Sequence, residues 1–244
     1  MPSSRSRPAE LRRLGAVPFA HRGLHGGPLV ENSGGAIAAA VAQGFGVELD
    51  VQLSRDGEAM VFHDYQLDRL TAGKGPVAAR TAAELQSLRL NLCGERMPRL
   101  TEALSIVGGR QPLLIEVKSP HRQVARLCAA VARALAGYRG AVAAMSFNPE
   151  VGAWFGRHAP DTLRGLVVTE SGNRGLRGRI ARPLALWRAR ADFLAYDIRD
   201  LPSRFAGAER LRGVPVYTWT VRSEADRARA SAHADQIIFE AAAG

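Results

Sequence analysis

Short apolar runs alternate along this chain with longer stretches rich in alanine and leucine. The runs predict eight β-strands: Pro18 to Ala20, Gly46 to Val51, Leu113 to Val117, Ala141 to Ser146, Gly165 to Val168, Phe193 to Tyr196, Pro215 to Thr220 and Gln236 to Phe239. Between most of them, apolar residues recur at helical spacing over Gly34 to Gln43, His121 to Leu135, Pro149 to His158, Pro183 to Arg190 and Ser223 to Ala232. Strands that alternate with helices run parallel through right-handed crossovers, and eight such repeats predict a closed (β/α)8 TIM barrel. The alternative, an open doubly wound sheet, usually carries a glycine-rich phosphate loop after its first strand, and this chain has none.

A ninth run, Ala59 to Phe62, follows the turn signal Ser54-Arg55-Asp56-Gly57 and reads as a hairpin that carries His63 back over the barrel mouth. Residues 64 to 111 form the longest gap between strands and predict a small insertion after the second barrel strand. A helix is expected there over Thr81 to Leu88, where Thr81 and Glu84 have capping-box spacing. A chain of 244 residues with 46% apolar content suits one barrel domain over 17–244, preceded by an N-terminal extension over 1–16.

Composition narrows the function classes. The extension carries arginines but no apolar core, so it reads as neither signal peptide nor membrane span, and the cytoplasm is the expected compartment. Cys93 and Cys128 lack metal-site spacing and are expected to be reduced and structural. The net charge of +10 invites an anionic partner. Yet only Lys74 and Lys118 among 33 basic residues are lysine, and the arginines are spread without aromatic interleaving, a coding bias rather than a nucleic-acid surface. No nucleic-acid partner is expected.

Four patches at strand ends carry the chemistry: Ala20-His21-Arg22-Gly23, Glu48-Leu49-Asp50-Val51, Phe62-His63-Asp64 and Ile115-Glu116-Val117-Lys118. Residues two apart on a strand share a face, so Glu48 points with Asp50 and Glu116 with Lys118. In such barrels the reacting groups stand at the carboxyl ends of the strands. Arg22 joins them if the chain bends at Gly23. Like charges ~4 Å apart repel by roughly 4 kcal/mol at an effective dielectric of about 20, so three inward carboxylates need protons, cationic partners or an ion. Arg22 and Lys118 could pair with them in buried ion pairs. An all-oxygen set otherwise selects one hard divalent cation, Mg2+ or Ca2+. Two histidines, able to take and give a proton near neutral pH, complete an inventory suited to a phosphate diester.

The patches, in their order and separation, together with Glu31-Asn32-Ser33, Asp56-Gly57, Leu67-Asp68-Arg69 and Trp219-Thr220-Val221, resemble the glycerophosphodiester phosphodiesterase family over about residues 17–240. The resemblance implies a phosphodiesterase-type TIM barrel that hydrolyses glycerophosphodiesters to sn-glycerol 3-phosphate and an alcohol with a divalent metal. It matches His21 and His63 to the acid/base pair and Glu48, Asp50 and Glu116 to the metal ligands. Arg22 and Lys118 match phosphate contacts, and Trp219 a substrate-pocket aromatic. The chain departs from the family pattern mildly, near the mouth, at Val30-Glu31-Asn32-Ser33, and again at Ile238-Phe239-Glu240, where the last strand usually ends in Ile-Thr-Asp; the second change bears on pocket shape and head group.

The remaining candidates are weaker. His25, His121, His158 and His233 lack partner patterns, Trp154 and Trp187 are expected to pack, and Phe147 could line the mouth. Arg174 to Arg190 carries six arginines among Leu176, Ile180, Leu184, Leu186 and Trp187, which reads first as a solvated helix face, and otherwise as a weak membrane-surface contact or a guide for an anionic substrate. Two other functions compete: a lysophospholipase D or sphingomyelinase D-like enzyme on the same barrel, and a catalytically silent barrel that binds an anion.

Overall fold

The eight parallel strands close on themselves. The computed structural model describes residues 7–120 and 123–241. In chain order, α1 (Pro8–Leu14) precedes β1 (Phe19–Ala20), α2 (Gly34–Ala42), β2 (Gly46–Leu53), β3 (Ala59–Val61), α3 (Ala82–Ser87), α4 (Leu100–Val107) and β4 (Leu113–Val117). Then follow α5 (Ala125–Leu135), β5 (Val142–Ser146), α6 (Pro149–His158), β6 (Leu163–Val168), α7 (Leu176–Ala189), β7 (Phe193–Asp197), α8 (Arg204–Leu211), β8 (Val216–Val221), α9 (Glu224–His233) and β9 (Gln236–Phe239). Neighbouring strands pair in parallel from β1 round through β2, β4, β5, β6, β7, β8 and β9, and β9 returns to β1. This is a (β/α)8 barrel, and β3 hangs from it as an antiparallel hairpin on β2, Val51 opposite Val61.

The lumen is built by the period of two. Phe19, Leu114, Ala143, Leu163, Phe193, Tyr217 and Ile238 fill its lower part, and Leu14 of α1 closes the floor with no exposed surface. Gly46 makes room for this plug: a Cβ there would stand 2.7 Å from the Phe19 ring. The outward strand faces pack against the helices in a second, larger core that includes Leu49, Ile115, Val131, Phe155 and Leu194. A third apolar cluster, with Met60, Phe62, Leu67, Leu85 and Met97, lies under the insertion.

Helix starts follow their caps. Ser33 accepts from the Ala36 amide, Asn148 from Glu150 ahead of Pro149, Ser203 from Phe205, and Ser223 from Asp226. The capping box of Thr81 and Glu84 is formed. Three helices go beyond the sequence reading: α1 inside the expected extension, α4 inside the expected gap, and α8. Two expected starts shift. The helix expected from Pro183 begins at Leu176 and runs through the proline, and the one expected from His121 begins at Ala125, with residues 121 and 122 outside the described residues. Cys93 is half-buried and Cys128 buried, both as free thiols. No helix among the described residues is long and apolar enough to cross a membrane.

Candidate active site

The parity that places Gly46, Leu114, Phe193 and Tyr217 in the lumen also governs the residues above them. Along β2, Glu48 and Asp50 follow Gly46; past Leu114 stand Glu116 and then Lys118; past Tyr217 stands Trp219. His21 continues the inward series from Phe19. Asp50 faces Glu116 in register across β2 and β4. His63 reaches the same mouth from the hairpin, where Gln52 donates to the carbonyls of Phe62 and Asp64. A cavity of about 540 Å³ is lined by His21, Arg22, Glu48, His63, Glu116, Lys118, Phe147 and Trp219, with Asp50 buried beneath. The eight residues singled out from the sequence are therefore brought together.

Arg22 enters through a bend. Both Arg22 (φ 56°) and Gly23 (φ 78°) adopt left-handed backbone, and a Cβ at Gly23 would meet the Ala36 carbonyl carbon at 2.7 Å. The turn aims the Arg22 amide at Glu48 Oε2 (3.0 Å) and its guanidinium at Glu31 (2.9 Å). Arg22 Nε lies 3.3 Å from Asp50 Oδ2, an ion-pair distance, but out of line for a hydrogen bond, so this buried N–H has no acceptor.

The carboxylates carry the electrostatic tension. Glu48 and Asp50 are each 1% exposed, and one oxygen from each of Glu48, Asp50 and Glu116 lies within 4.8 Å of the others. Burial and the charges of Asp50 and Glu116 push the Glu48 carboxyl well above its ordinary range; burial and Asp50 push Glu116 up to about 7. Asp50 is held down against its own burial by Lys118 and Arg22 and takes a 3.0 Å hydrogen bond from Asn32. Lys118 Nζ sits 3.4 Å from Asp50 and 3.3 Å from Glu116. The buried ion pairs considered from sequence are thus present, yet two of the three acids still resist ionisation. A hard divalent cation fits that donor set: three carboxylates, Glu48 and Asp50 buried and Glu116 half-buried, short of positive charge. A second cluster, Glu31, His63 and Asp64, fits one less well, because Arg69 already forks across Glu31 (2.8 and 2.9 Å) and Asp64 (2.6 and 2.9 Å).

Each histidine has its own carboxylate. His21 Nδ1 meets Glu240 Oε1 at 2.7 Å, and Arg222 grips Glu240 from behind at 2.6 and 2.8 Å. His63 Nδ1 meets Asp64 Oδ1 at 2.7 Å, with Arg69 behind it. Burial lowers the His21 imidazole, with the Glu240 hydrogen bond opposing. Glu240 is held well below the ordinary carboxylate range, against its burial, by His21 and Arg222; Asp64 is held at about 2, chiefly by Arg69. Pairing at Nδ1 turns the other ring nitrogen toward the cavity, and His21 Nε2 lies 3.9 Å from Glu48. Sequence reading missed these partners: Glu240 stands out there only as a departure in pocket shape, although β9 closes against β1 and so brings it beside His21.

Trp219 donates its indole N–H to the Ala195 carbonyl (2.9 Å) and meets Phe147 edge-to-face at 5.6 Å, so Phe147 does line the mouth. Of the weaker candidates, His158 stacks on Trp154, and His121 lies outside the described residues. Trp187 corrects an expectation: it is 70% exposed, because α7 buries its opposite face.

The model of the glycerophosphoryl diester phosphodiesterase family matches residues 21–240. Among relatives, a Mycobacterium tuberculosis protein named probable glycerophosphodiester phosphodiesterase 2 is 30% identical over 86% of this chain and 81% of its own. A Caldanaerobacter subterraneus glycerophosphodiester phosphodiesterase is 38% identical over 41% of this chain, a match that spans a little under half (44%) of that relative. An Oleispira antarctica phosphodiesterase, solved with the product sn-glycerol-3-phosphate, shares the fold with a TM-score of 0.80 at 23% identity, covering 92% of this chain and 93% of that one. With the family model spanning the barrel from His21 to Glu240, this chain belongs to the glycerophosphoryl diester phosphodiesterase family.

Proposed function

We propose that this chain hydrolyses glycerophosphodiesters to sn-glycerol 3-phosphate and an alcohol by histidine general acid/base catalysis. The observation that carries the reading is the pair of carboxylate-anchored histidines opening on one cavity with three clustered acids, two buried and one half-buried, that are short of positive charge. Family membership and the product named for the Oleispira phosphodiesterase point to the same substrate class.

Glu48, Asp50 and Glu116 would hold one divalent ion, Mg2+ or Ca2+, which when bound supplies neutralising charge to the phosphate oxygens. Arg22, which lines the cavity, offers the phosphate a guanidinium fork, and Lys118 adds a compact point charge at the rim. Trp219, backed by Phe147, offers an apolar wall to the glycerol or head group. His21, lowered by burial and donating Nδ1–H to Glu240, keeps a lone pair at Nε2 at neutral pH and is the base that takes the proton of the attacking oxygen. His63, anchored to Asp64, delivers a proton to the leaving alkoxide. Each proton acquired at one histidine and lost at the other leaves the pair ready to exchange them through solvent.

The test is release of glycerol 3-phosphate from glycerophosphocholine and glycerophosphoethanolamine with Mg2+, with Ca2+ and with chelator. Metal-dependent release is expected. No release from either substrate under any of these conditions would overturn the reading.

A further inference from the structure

Four of the eight large apolar side chains exposed on the described residues lie on one helix, α7: Leu176 (70%), Ile180 (56%), Leu184 (59%) and Trp187 (70%). Their spacing places them on a single face, opposite Gly178 and Ala189, which α7 buries. By the same geometry Arg177 and Arg188 lie along one edge of the stripe and Arg179 along the other, and all three are exposed. No acidic residue occurs between Glu170 and Asp192, and neither Arg177, Arg179 nor Arg190 forms an ion pair among the described residues. At the mouth end of the helix, Arg174, Arg179, Arg182, Arg199 and Arg204 line a cavity of about 620 Å³ together with Glu170 and Asp200; Arg174 pairs there with Asp200 and Arg182 with Glu170, which leaves Arg179 as an arginine of the helix without an ion pair among the described residues.

We propose that α7 is a docking surface for an anionic bilayer. The stripe would lie in the plane of the interface with its leucines and isoleucine at the headgroup–acyl boundary, Trp187 at headgroup level, and Arg177 and Arg179 on lipid phosphates, while Arg188 stays paired with Glu150 at 2.7 and 2.8 Å. Charge selects this occupant. A second copy of the chain would set one arginine-edged stripe against another, whereas a bilayer of anionic lipids answers both the apolar face and its basic borders. Because α7 follows β6, its first turn stands at the mouth side of the barrel, and docking brings the catalytic cavity beside the headgroups. The inference is independent of the proposed reaction and is tested without it.

Full-length protein is sedimented with vesicles of phosphatidylcholine alone and with roughly one-third phosphatidylglycerol, at low and at physiological salt. Binding to the anionic vesicles, weakened by salt and accompanied by a blue shift of tryptophan emission, is expected. Leu184→Ser with Trp187→Ser should weaken it by about tenfold or more through lost apolar burial. Arg177→Glu with Arg179→Glu should do so through lost attraction. All four positions are exposed, so both variants should melt with the parent. Failure of the parent to bind anionic vesicles would overturn the proposal. So would undiminished binding by the Leu184/Trp187 variant, which would leave only bulk positive charge, or a vesicle-free self-association that the same variant disperses, which would make a second copy the occupant.

Discussion

The two ends of one barrel lumen are made by the same strands and hold opposite chemistry. At the floor, Phe19, Leu114, Phe193 and Tyr217 pack with Leu14 in a dry plug; one or two steps along the same inward series stand His21, Glu116, Asp197 and Trp219. At the floor every inward residue gains by leaving water, whereas at the mouth the inward carboxylates lose by it: Glu48 and Glu116 are driven toward their neutral forms. With the proposed chemistry at the mouth, stability and reactivity would be separated along the barrel axis. A substitution at the floor should cost folding and spare the chemistry of the molecules still folded; one at the mouth should do the reverse.

The sharpest break comes from the histidines. His21→Ala or His63→Ala should lower kcat by roughly 10³-fold or more, toward the upper end of what a positioned acid or base contributes, with the thermal midpoint nearly unmoved. Steady-state release of glycerol 3-phosphate beside a melting curve checks both halves. At the floor, Phe193→Ala removes a ring with no exposed surface and should cost about 3–5 kcal/mol in a urea titration, with kcat per folded molecule close to that of the parent. A Phe193 variant that melts normally but turns over slowly would show that the two ends are not separable.

The same axis explains what was legible in the sequence. Period-two parity is local, so the strands, the lumen-facing acids and Lys118 could be placed from the chain alone, whereas Trp219 came from the family resemblance and its position at a strand end. Glu240 could not, because its partner His21 is 219 residues away and the contact exists only once β9 closes on β1. Helix α4 carried a readable signal, with Leu100, Ala103, Leu104 and Val107 at helical spacing and Gly108 as a left-handed cap, but it sits inside a stretch read as one insertion. Helix α8 buries only Ala206 and Glu209 and offers almost no periodicity to read. Helix α7 misled through Pro183, which reads as a first-turn residue and lies mid-helix instead.

Protons and a divalent ion should compete for the mouth and not for the floor. The folded chain raises Glu116 to about 7 from an ordinary carboxylate near 4.5, so in the ion's absence the native state holds that proton more tightly than the unfolded chain does. The sign follows: this group favours folding below about pH 4.5, and the contribution fades as pH rises through about 7, where the acids ionise against one another. An ion reverses the trend by binding the ionised set, so its affinity should climb between about pH 5 and 8 with release of protons. At about 100 times its Kd a ligand adds roughly 2.7 kcal/mol, or about 5–10 °C in a chain of this length. Melting curves with Mg2+, Ca2+ and chelator at the two pH values check this. An ion-induced rise equal at both would separate the ion from these carboxylates.

The smallest effect discriminates between positioning and plain packing at the mouth. Glu240 does not line the cavity at the mouth; it touches His21, holding Nδ1 and raising the imidazole against the lowering effect of burial. Glu240→Gln keeps an acceptor of nearly the same shape but removes the charge. We expect kcat to fall by about tenfold with KM little changed, since a tethered ring remains in place but its protonated form loses a carboxylate partner. The sign of the pH effect is fixed by the same contact: without the charge the His21 imidazole is lowered further, so the acid limb of the kcat/KM profile should move to lower pH. Glu240→Asp, which restores the charge on a shorter arm, should return the limb toward the parent position even if kcat recovers only in part. A Glu240→Gln enzyme whose acid limb stays in place while its thermal midpoint drops would make Glu240 a strut between β1 and β9 and not a positioning residue for His21.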